Sequence, residues 1–498
     1  MSAYAKVQFI ILRKFGLTRY LCMGKRWSDR LKRKYWQIAS AIAIVLIAIS
    51  CSNRVNLDPQ TTQKPLPETA KVNIWWEQGY NLEEDEAFRK VVDDWQNRTN
   101  SKVELSFFTQ DELIAKVERA VRVNQPPDLV MSLKGNQILY PRLAWQGKLE
   151  DVSDIIKPIQ DSYSAKTLKA ITYTNSHQEK RSYYGIPIHQ SAIFIFYWQE
   201  LLASVGLNSS DIPQDWDGFW QFWQQAQTKL KIEQNLNIYS LGLSIAGEKR
   251  ADDTRYLFEQ ILQAYDIKLL NERGELEIDR PQVRQGIIKC LDWYAQLYRQ
   301  GCIPLDAVKW SNVDNNLSLL NRLVLMTPNA TLSIPATVRQ DENTYYNRLG
   351  ISKFPNKPNG KPMNYLLSVR QAVIFKNSPQ TSLAKQFISY FIQPQVSINY
   401  LKATGGRHQP VRKSVWSDSF WQDTQDPYIT TATKIINAEQ TSLSSEVYNP
   451  TYSQVLAENV WGKVLTKVTA EQVDPEQAAD QAIARIKEIF AEWERESN

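Results

Sequence analysis

Histidine is almost missing from this 498-residue chain: His177, His189 and His408 are the only three, and no two are spaced to hold a metal from one element. HExxH, CxxC and GxSxG do not occur, and the nearest approach to a phosphate loop, between Gly242 and Gly247, runs into Glu248 where a lysine is required. No metal, no cofactor and no catalytic group is therefore expected. Acids are plentiful, but no segment sets two of them apart as a hydrolytic pair, and solvated helix surfaces account for them better. Cysteine is scarce too. Of four, Cys22 and Cys51 lie in or just after an N-terminal leader, Cys290 falls on a predicted helix and Cys302 past its end. A helix running to Arg299 would hold the last two too far apart to bridge, so two unpaired thiols are expected.

Long apolar runs are lacking with one exception, residues 38–49 (IASAIAIVLIAI). That run is short of the roughly 20 residues a spanning helix needs, but it suits a signal-peptide core. It follows the basic run Arg30, Lys32, Arg33, Lys34. Residues 1–50 carry ten basic side chains against the single acid Asp29; with +6 overall and +9 here, the rest of the chain holds −3. Nothing basic is left to neutralise nucleic-acid phosphates. Small Ser50 precedes Cys51, and polar Ser52 and Asn53 follow. The order resembles a bacterial lipoprotein signal, with Ala48 where leucine is usual, and implies lipidation at Cys51. Met23 offers a second start that would give a leader of ordinary length.

The length is too great for one ordinary core, so at least two lobes are expected. Residues 51–70 are polar and proline-bearing and read as a flexible tether. Then comes a strand (residues 72–76), a helix with Ala87, Phe88, Val91, Val92 and Trp95 on one face, and a strand over 103–107. A second helix follows, capped by Asp111, and then a third strand at Leu129, Val130 and Met131. This βαβαβ order predicts an open, mostly parallel sheet that binds ligands beyond its strand C-termini. Later, Ala372–Phe375 reads as a strand, Ser378 and Pro379 open a helix that Pro394 ends, and Asp474, Pro475 and Gln477 begin the last helix.

What the chain has in quantity is aromatic residues, 16 Trp and 23 Tyr. Sugars offer apolar faces to such rings and polar rims to amides and charges. Trp75 and Trp76 close the first strand beside Glu77 and Gln78; adjacent strand residues face opposite ways, so at most one ring can face a cleft. Most of the Trp residues in 216–223 read as core.

These segments also carry a likeness. NIWWEQGYNLEEDEAFRKVVDDWQNRTNSKVEL, Gln125-Pro126-Pro127-Asp128, Gly147-Lys148-Leu149-Glu150-Asp151, Tyr184-Gly185-Ile186-Pro187, Ile212-Pro213-Gln214-Asp215-Trp216 and Gly405-Gly406-Arg407-His408-Gln409-Pro410 occur in order. Together they resemble the family-one extracellular solute-binding proteins of the maltose-binding type. The likeness implies an α/β, two-lobe periplasmic-binding-protein fold with a hinge, residues 71–187 with 370–400 forming lobe 1 and 188–369 with 401–498 lobe 2. The crossings would fall near Pro187, near Val369 and after Tyr400. It implies a monomeric, non-catalytic receptor, lipid-anchored at the outer face of the cytoplasmic membrane. That receptor would deliver a sugar to an ABC permease with separate ATPase chains. The positions carried over are Trp76, Glu77, Gln78, Ser132, Asn136, His189, Gln190, Ser191, Trp310, Asn329, Gly405 and Arg407. Asp128 reads as a structural brace. Arg407 would equally suit a carboxylate or phosphate, so charged solutes such as a sugar phosphate stay open. The rival readings are a lipid-anchored glycan hydrolase, which needs two facing acids with one pKa raised, and a surface adhesin, which needs no closing cleft.

Overall fold

The computed structural model describes residues 71–438 and 440–497; the leader, Cys51 and the tether lie outside the described residues. Thirteen strands occur among them: β1 (Lys71–Glu77), β2 (Lys102–Phe108), β3 (Leu129–Met131), β4 (Thr172–Asn175), β5 (Lys180–Tyr183), β6 (Ile186–Ser191), β7 (Phe194–Trp198), β8 (Tyr239–Leu241), β9 (Val324–Asn329), β10 (Leu349–Ser352), β11 (Tyr365–Leu366), β12 (Ser368–Ile374) and β13 (Thr441–Ser442). They form a five-stranded sheet ordered β2-β1-β3-β12-β6, a four-stranded sheet ordered β10-β7-β9-β8, and two small pairs. Each large sheet is the centre of one lobe.

In the first sheet β1 pairs in parallel with both β2 and β3. Val72, Ile74 and Trp76 alternate into the buried face of β1. The helix Leu82–Thr99 buries Ala87, Phe88, Val91, Val92 and Trp95, the expected face. Each such side chain contributes roughly 1.5–3 kcal/mol when fully buried. Glu83 and Glu84 at its start and Arg98 at its end suit the helix dipole. The next helix, Gln110–Arg122, starts two residues earlier than its first acid suggests. Thr109 is the N-cap, its N–H and hydroxyl both donating to Glu112. Asp111 is thereby left to pair with Lys134 at 2.7 Å.

The chain passes between the sheets three times. β6 runs into β7 with only Ala192 and Ile193 between them, a few residues past Pro187. β12 returns to the first sheet antiparallel to β3 and β6, since it arrives from the other lobe through β11 and Leu367. The third passage follows the helix Pro394–Ala403 at Gly405 and Gly406, both at positive φ. A Cβ at Gly406 would also fall 2.8 Å from Phe420 and Ile429, so glycine is required there on both counts. Just beyond, Gln190 and Gln409 exchange two backbone hydrogen bonds of 2.8 Å.

The second lobe buries the tryptophans that the aromatic helix Trp216–Glu233 carries. Trp220 packs edge-on against Trp293 and Phe219, and Trp223 against Tyr197. Asp474 caps the last helix, Pro475–Ser497, accepting from the N–H groups of Glu476 and Gln477. Its Ala482, Ile486 and Ile489 are buried. Cys290 and Cys302 are both free and buried.

Candidate functional site

The C-terminal ends of β1 and β3 meet at Glu77 and Ser132. Glu77 is buried, and its Oε2 accepts from the Ser132 hydroxyl at 2.7 Å and the Leu133 N–H at 2.8 Å. Arg370, the one charge in a wholly buried β12, reaches only to 3.7 Å of Glu77 Oε1, and its Nε has no partner. Above it the rings of His189 and His408 stack with centroids 3.9 Å apart. Burial, then the cations Arg370 and Arg407, push the His189 imidazole well below its ordinary range; burial, His189 and the same cations do this to His408. Both rings are therefore neutral at pH 7. His189 Nδ1 and both nitrogens of His408 lack hydrogen-bond partners.

The other wall comes from the second lobe. Asp252 binds Arg255 at 2.7 Å and lies 3.4 Å from Lys134 of the first lobe. Burial opposes the Asp252 charge, but Arg255 and Lys134 overcome it and hold the carboxyl low. For the adjacent Asp253 the cations Arg255 and Arg407 help less. Burial and the Asp252 charge push it up to about 7. Its Oδ2 is enclosed without a partner.

Besides the Lys134–Asp252 pair, other bridges among the described residues hold the lobes together across this cleft. Arg407 Nη1 donates to both oxygens of Glu84 at 2.7 and 2.8 Å, under the ring of Tyr80. Asn312 Nδ2 donates to Gln110 and to Asp252. Tyr256 OH stands 3.2 Å from the Ser368 hydroxyl. Tyr256 also separates two cavities of about 10 Å³ each. One is lined by Asn136, Gln137 and Ser368, the other by Ser244, Asp253, Asn315 and Asn329. Each has room for about one water, so a larger solute enters only when the lobes part.

The positions expected from sequence divide accordingly. Glu77, Ser132, His189, Gln190 and Arg407 gather at the first wall and the crossings, and Asn136 and Asn329 border the two cavities. Ser191 pairs with Ser368 in the crossing strands. Trp76 does not join them. Its ring stacks on Phe88 at 3.6 Å and meets Phe391 edge-on, in the core between sheet and helices. The cause is strand alternation, which puts Trp76 on the same face as Val72 and Ile74. Gln78 is an exposed loop residue, Trp310 packs in the second-lobe core, and Gly405 forms a turn whose carbonyl accepts from Arg339. Arg370, His408, Asp253, Tyr256 and Glu84 were not among the expected positions. For Arg370 a signal existed, a single charge amid an apolar strand.

No group of three or more His, Cys, Asp or Glu side chains among the described residues is placed to hold a metal. The arrangement is a closed crevice, dense in amides and charges, between two hinged lobes.

Comparison with known proteins agrees with that geometry. Among solved structures, an ABC transporter solute-binding protein from Thermotoga lettingae TMO, bound with alpha-D-tagatose, has a TM-score of 0.69 at 21% identity, over 84% of this chain and 99% of that one. Maltose-bound MalE3 of T. maritima has a TM-score of 0.68 at 18% identity, over 84% and 99%. The sugar-binding protein MalE of Xanthomonas citri gives 0.63 at 18%, over 86% and 100%. At such identities the likeness speaks for the fold, the two-lobe α/β binding-protein architecture. No curated protein sequence matches the chain. The profile of the bacterial extracellular solute-binding proteins matches residues 90–428, and this chain belongs to that family.

Proposed function

We propose that this protein is the receptor of an ABC importer and binds a sugar or oligosaccharide between its lobes for delivery to a membrane permease. One observation carries the reading. Five amide and carboxyl oxygens of the crevice, on Asn136, Gln137, Gln190, Gln409 and Asp253, have no hydrogen-bond partner, and neither do Arg370 Nε, His189 Nδ1 and both ring nitrogens of His408. Each enclosed orphan costs about 1–3 kcal/mol. A hydroxyl both donates and accepts, so a polyhydroxyl solute relieves donors and acceptors alike. A simple anion would satisfy Arg370 but repel the oxygens. The sugars bound by the structural relatives support the same class.

The binding residues proposed are Glu77, Ser132, Asn136, His189, Gln190, Ser191, Asn329 and Arg407, joined by Arg370, His408, Asp253 and Tyr256. The protein acts as a binder without catalysis, as a monomer. Its signal peptide (1–50) directs export and is removed, lipidated Cys51 and the tether (51–70) hold it at the outer face of the cytoplasmic membrane, and the permease and its ATPase subunits are separate chains. A thermal-shift screen of the full chain against mono- and oligosaccharides, polyols, sugar phosphates and amino acids tests this. A sugar at a hundred times its Kd raises stability by about 2.7 kcal/mol, with no product formed. Silence from every saccharide refutes the sugar assignment, and appearance of cleaved product refutes the receptor.

A further inference from the structure

Glu259 and Glu446 bring two carboxyls together at the seam between the lobes, at 6% and 4% exposure. Glu259 accepts from the Tyr452 hydroxyl at 2.8 Å and the Ser444 hydroxyl at 3.2 Å, whereas Glu446 Oε2 has no partner. One guanidinium, Arg255, faces both from the helix that carries Glu259, but its Nη2 is given to Asp252 at 2.7 Å. Lys134, on the first-lobe helix Leu133–Ile138, bonds Asp111 at 2.7 Å and the Lys249 carbonyl at 2.8 Å, and lies 3.4 Å from Asp252. Lys166 and Lys169 stand across a cavity of about 370 Å³ that Glu259 lines, turned to Thr441 and Glu272, with exposed Lys268 at its rim. The other titratable neighbours are the phenols of Tyr173, Tyr256 and Tyr452, which burial holds well above their ordinary range. Three carboxyls, those of Asp252, Glu259 and Glu446, thus share one guanidinium in a dry seam.

Such a seam cannot cheaply ionise them all. Burial and then the Glu259 charge push the Glu446 carboxyl up to about 8, and burial raises Glu259 as well. The proton this retains belongs to the pair. Its enclosure depends on the other lobe: Asn136, Gln137 and Ala170 of the first lobe close over Glu446 around a space of about 10 Å³, room for about one water. Parting the lobes admits water, and the carboxyl returns toward its ordinary value near 4.3. A carboxyl raised in the closed form favours closure fully below its open value, and that gain is lost as pH rises through its closed value. Asp253, pushed up to about 7 on the second-lobe wall, acts with the same sign. His189 and His408, held neutral in the closed form, act oppositely, but only below about pH 6.5, where free imidazoles charge. The window from about pH 6.5 to 8 therefore belongs to the carboxyls.

We propose that closing the lobes takes up a proton from water onto the Glu259–Glu446 pair, so the receptor holds its solute at neutral pH and releases it as the medium turns alkaline. The inference rests on the proposed receptor for what closure serves, while closure itself is measured without sugar. Small-angle scattering of the full chain between pH 6.5 and 9 tests it. The radius of gyration of the parent should grow, the ratio of closed to open forms falling by up to about tenfold per pH unit until pH 8. Glu446→Gln keeps the shape of the side chain but cannot ionise, so it should expand less than the parent. Glu259→Gln, which removes the charge opposing Glu446, should do the same and gives the readout should Glu446→Gln fail to fold. Circular dichroism at each pH checks that the proteins stay folded. A constant radius for the parent, or expansion of the folded variants equal to the parent's, overturns the inference and leaves the sugar receptor standing. A parent that expands as expected while no saccharide in the thermal-shift screen binds keeps the proton-linked closure and removes the sugar.

Discussion

Removing the Arg407 side chain alone should destabilise the protein more than neutralising it together with its partner. Arg407 and Glu84 are 323 residues apart in sequence, yet Nη1 lies 2.7 and 2.8 Å from the two carboxylate oxygens, with side chains only 11% and 5% exposed. At that separation, with an effective dielectric near 20, the attraction is about 6 kcal/mol before desolvation. Arg407→Met deletes it and strands Glu84 in a dry site, a cost of about 3–5 kcal/mol. Glu84→Gln strands Arg407 instead, beside Thr331 and the Tyr80 ring. The double variant strands neither, so its loss should fall below that of Arg407→Met alone, short of the summed single losses by about 3 kcal/mol or more. The assay is urea unfolding of the four proteins without sugar, followed by tryptophan emission at constant m-value. Single losses that add within about 0.5 kcal/mol would refute the reasoning. The pair also spans the cleft. Glu84 sits on a first-lobe helix, whereas the Arg407 carbonyl accepts from Leu332, which follows β9 of the second sheet. Small-angle scattering of Arg407→Met should therefore show a larger radius of gyration than the parent.

Further outcomes follow from buried groups. Asp253 sits at about 7 when folded, above its ordinary value near 3.9, so the folded state binds the extra proton. Stability should then be fullest below about pH 4 as far as this group is concerned, and fall by at most about 4 kcal/mol as pH rises to 7 and beyond. Asp253→Asn should flatten that part of the profile, and an unchanged slope would count against it. Trp76→Ala should cost about 3–5 kcal/mol in stability through a core void, while sugar affinity of the protein that stays folded changes little. A primary loss of affinity at full stability would return Trp76 to the cleft. Cys290 and Cys302 are buried, and burial pushes both thiols up. A thiol reagent should label neither before unfolding, as followed by absorbance across a urea series.

The fold was legible because its signals are local. The apolar period and the helix start at Asp474 and Pro475 act within a few residues, and the structure follows them closely. Glu77 at the end of β1 and Ser132 just after β3 were legible from strand ends, whereas His189, Gln190, Ser191 and Arg407 came from the family likeness. Trp76 fails for a reason the sequence itself contained. A ligand-facing ring beside Glu77 cannot also alternate with Val72 and Ile74, and the helix-side phenylalanines claim it. Where Ser378 and Pro379 announce a helix, the chain turns first, and the regular helix runs Thr381–Phe391; the Ser378 hydroxyl goes to Asp128, which confirms that acid as a brace between strand and turn.

The groups that reasoning from sequence missed share a different property. Asp253 and Tyr256 open an ordinary amphipathic helix of the second lobe, and their importance comes from facing Ser368 and the crossings, 112 residues away for Tyr256. Nothing in their own segment encodes that approach, because it depends on how far the hinge closes. The same holds for Glu446, whose unpartnered oxygen has meaning only beside Asn136 and Gln137 of the other lobe. A binding protein of this kind must keep such groups unsatisfied by its own chain, since a crevice that completed every hydrogen bond would have nothing left to offer a solute. On the proposed reading the unpaired amides of the crevice are what the solute completes, and they come together only once both lobes are in place.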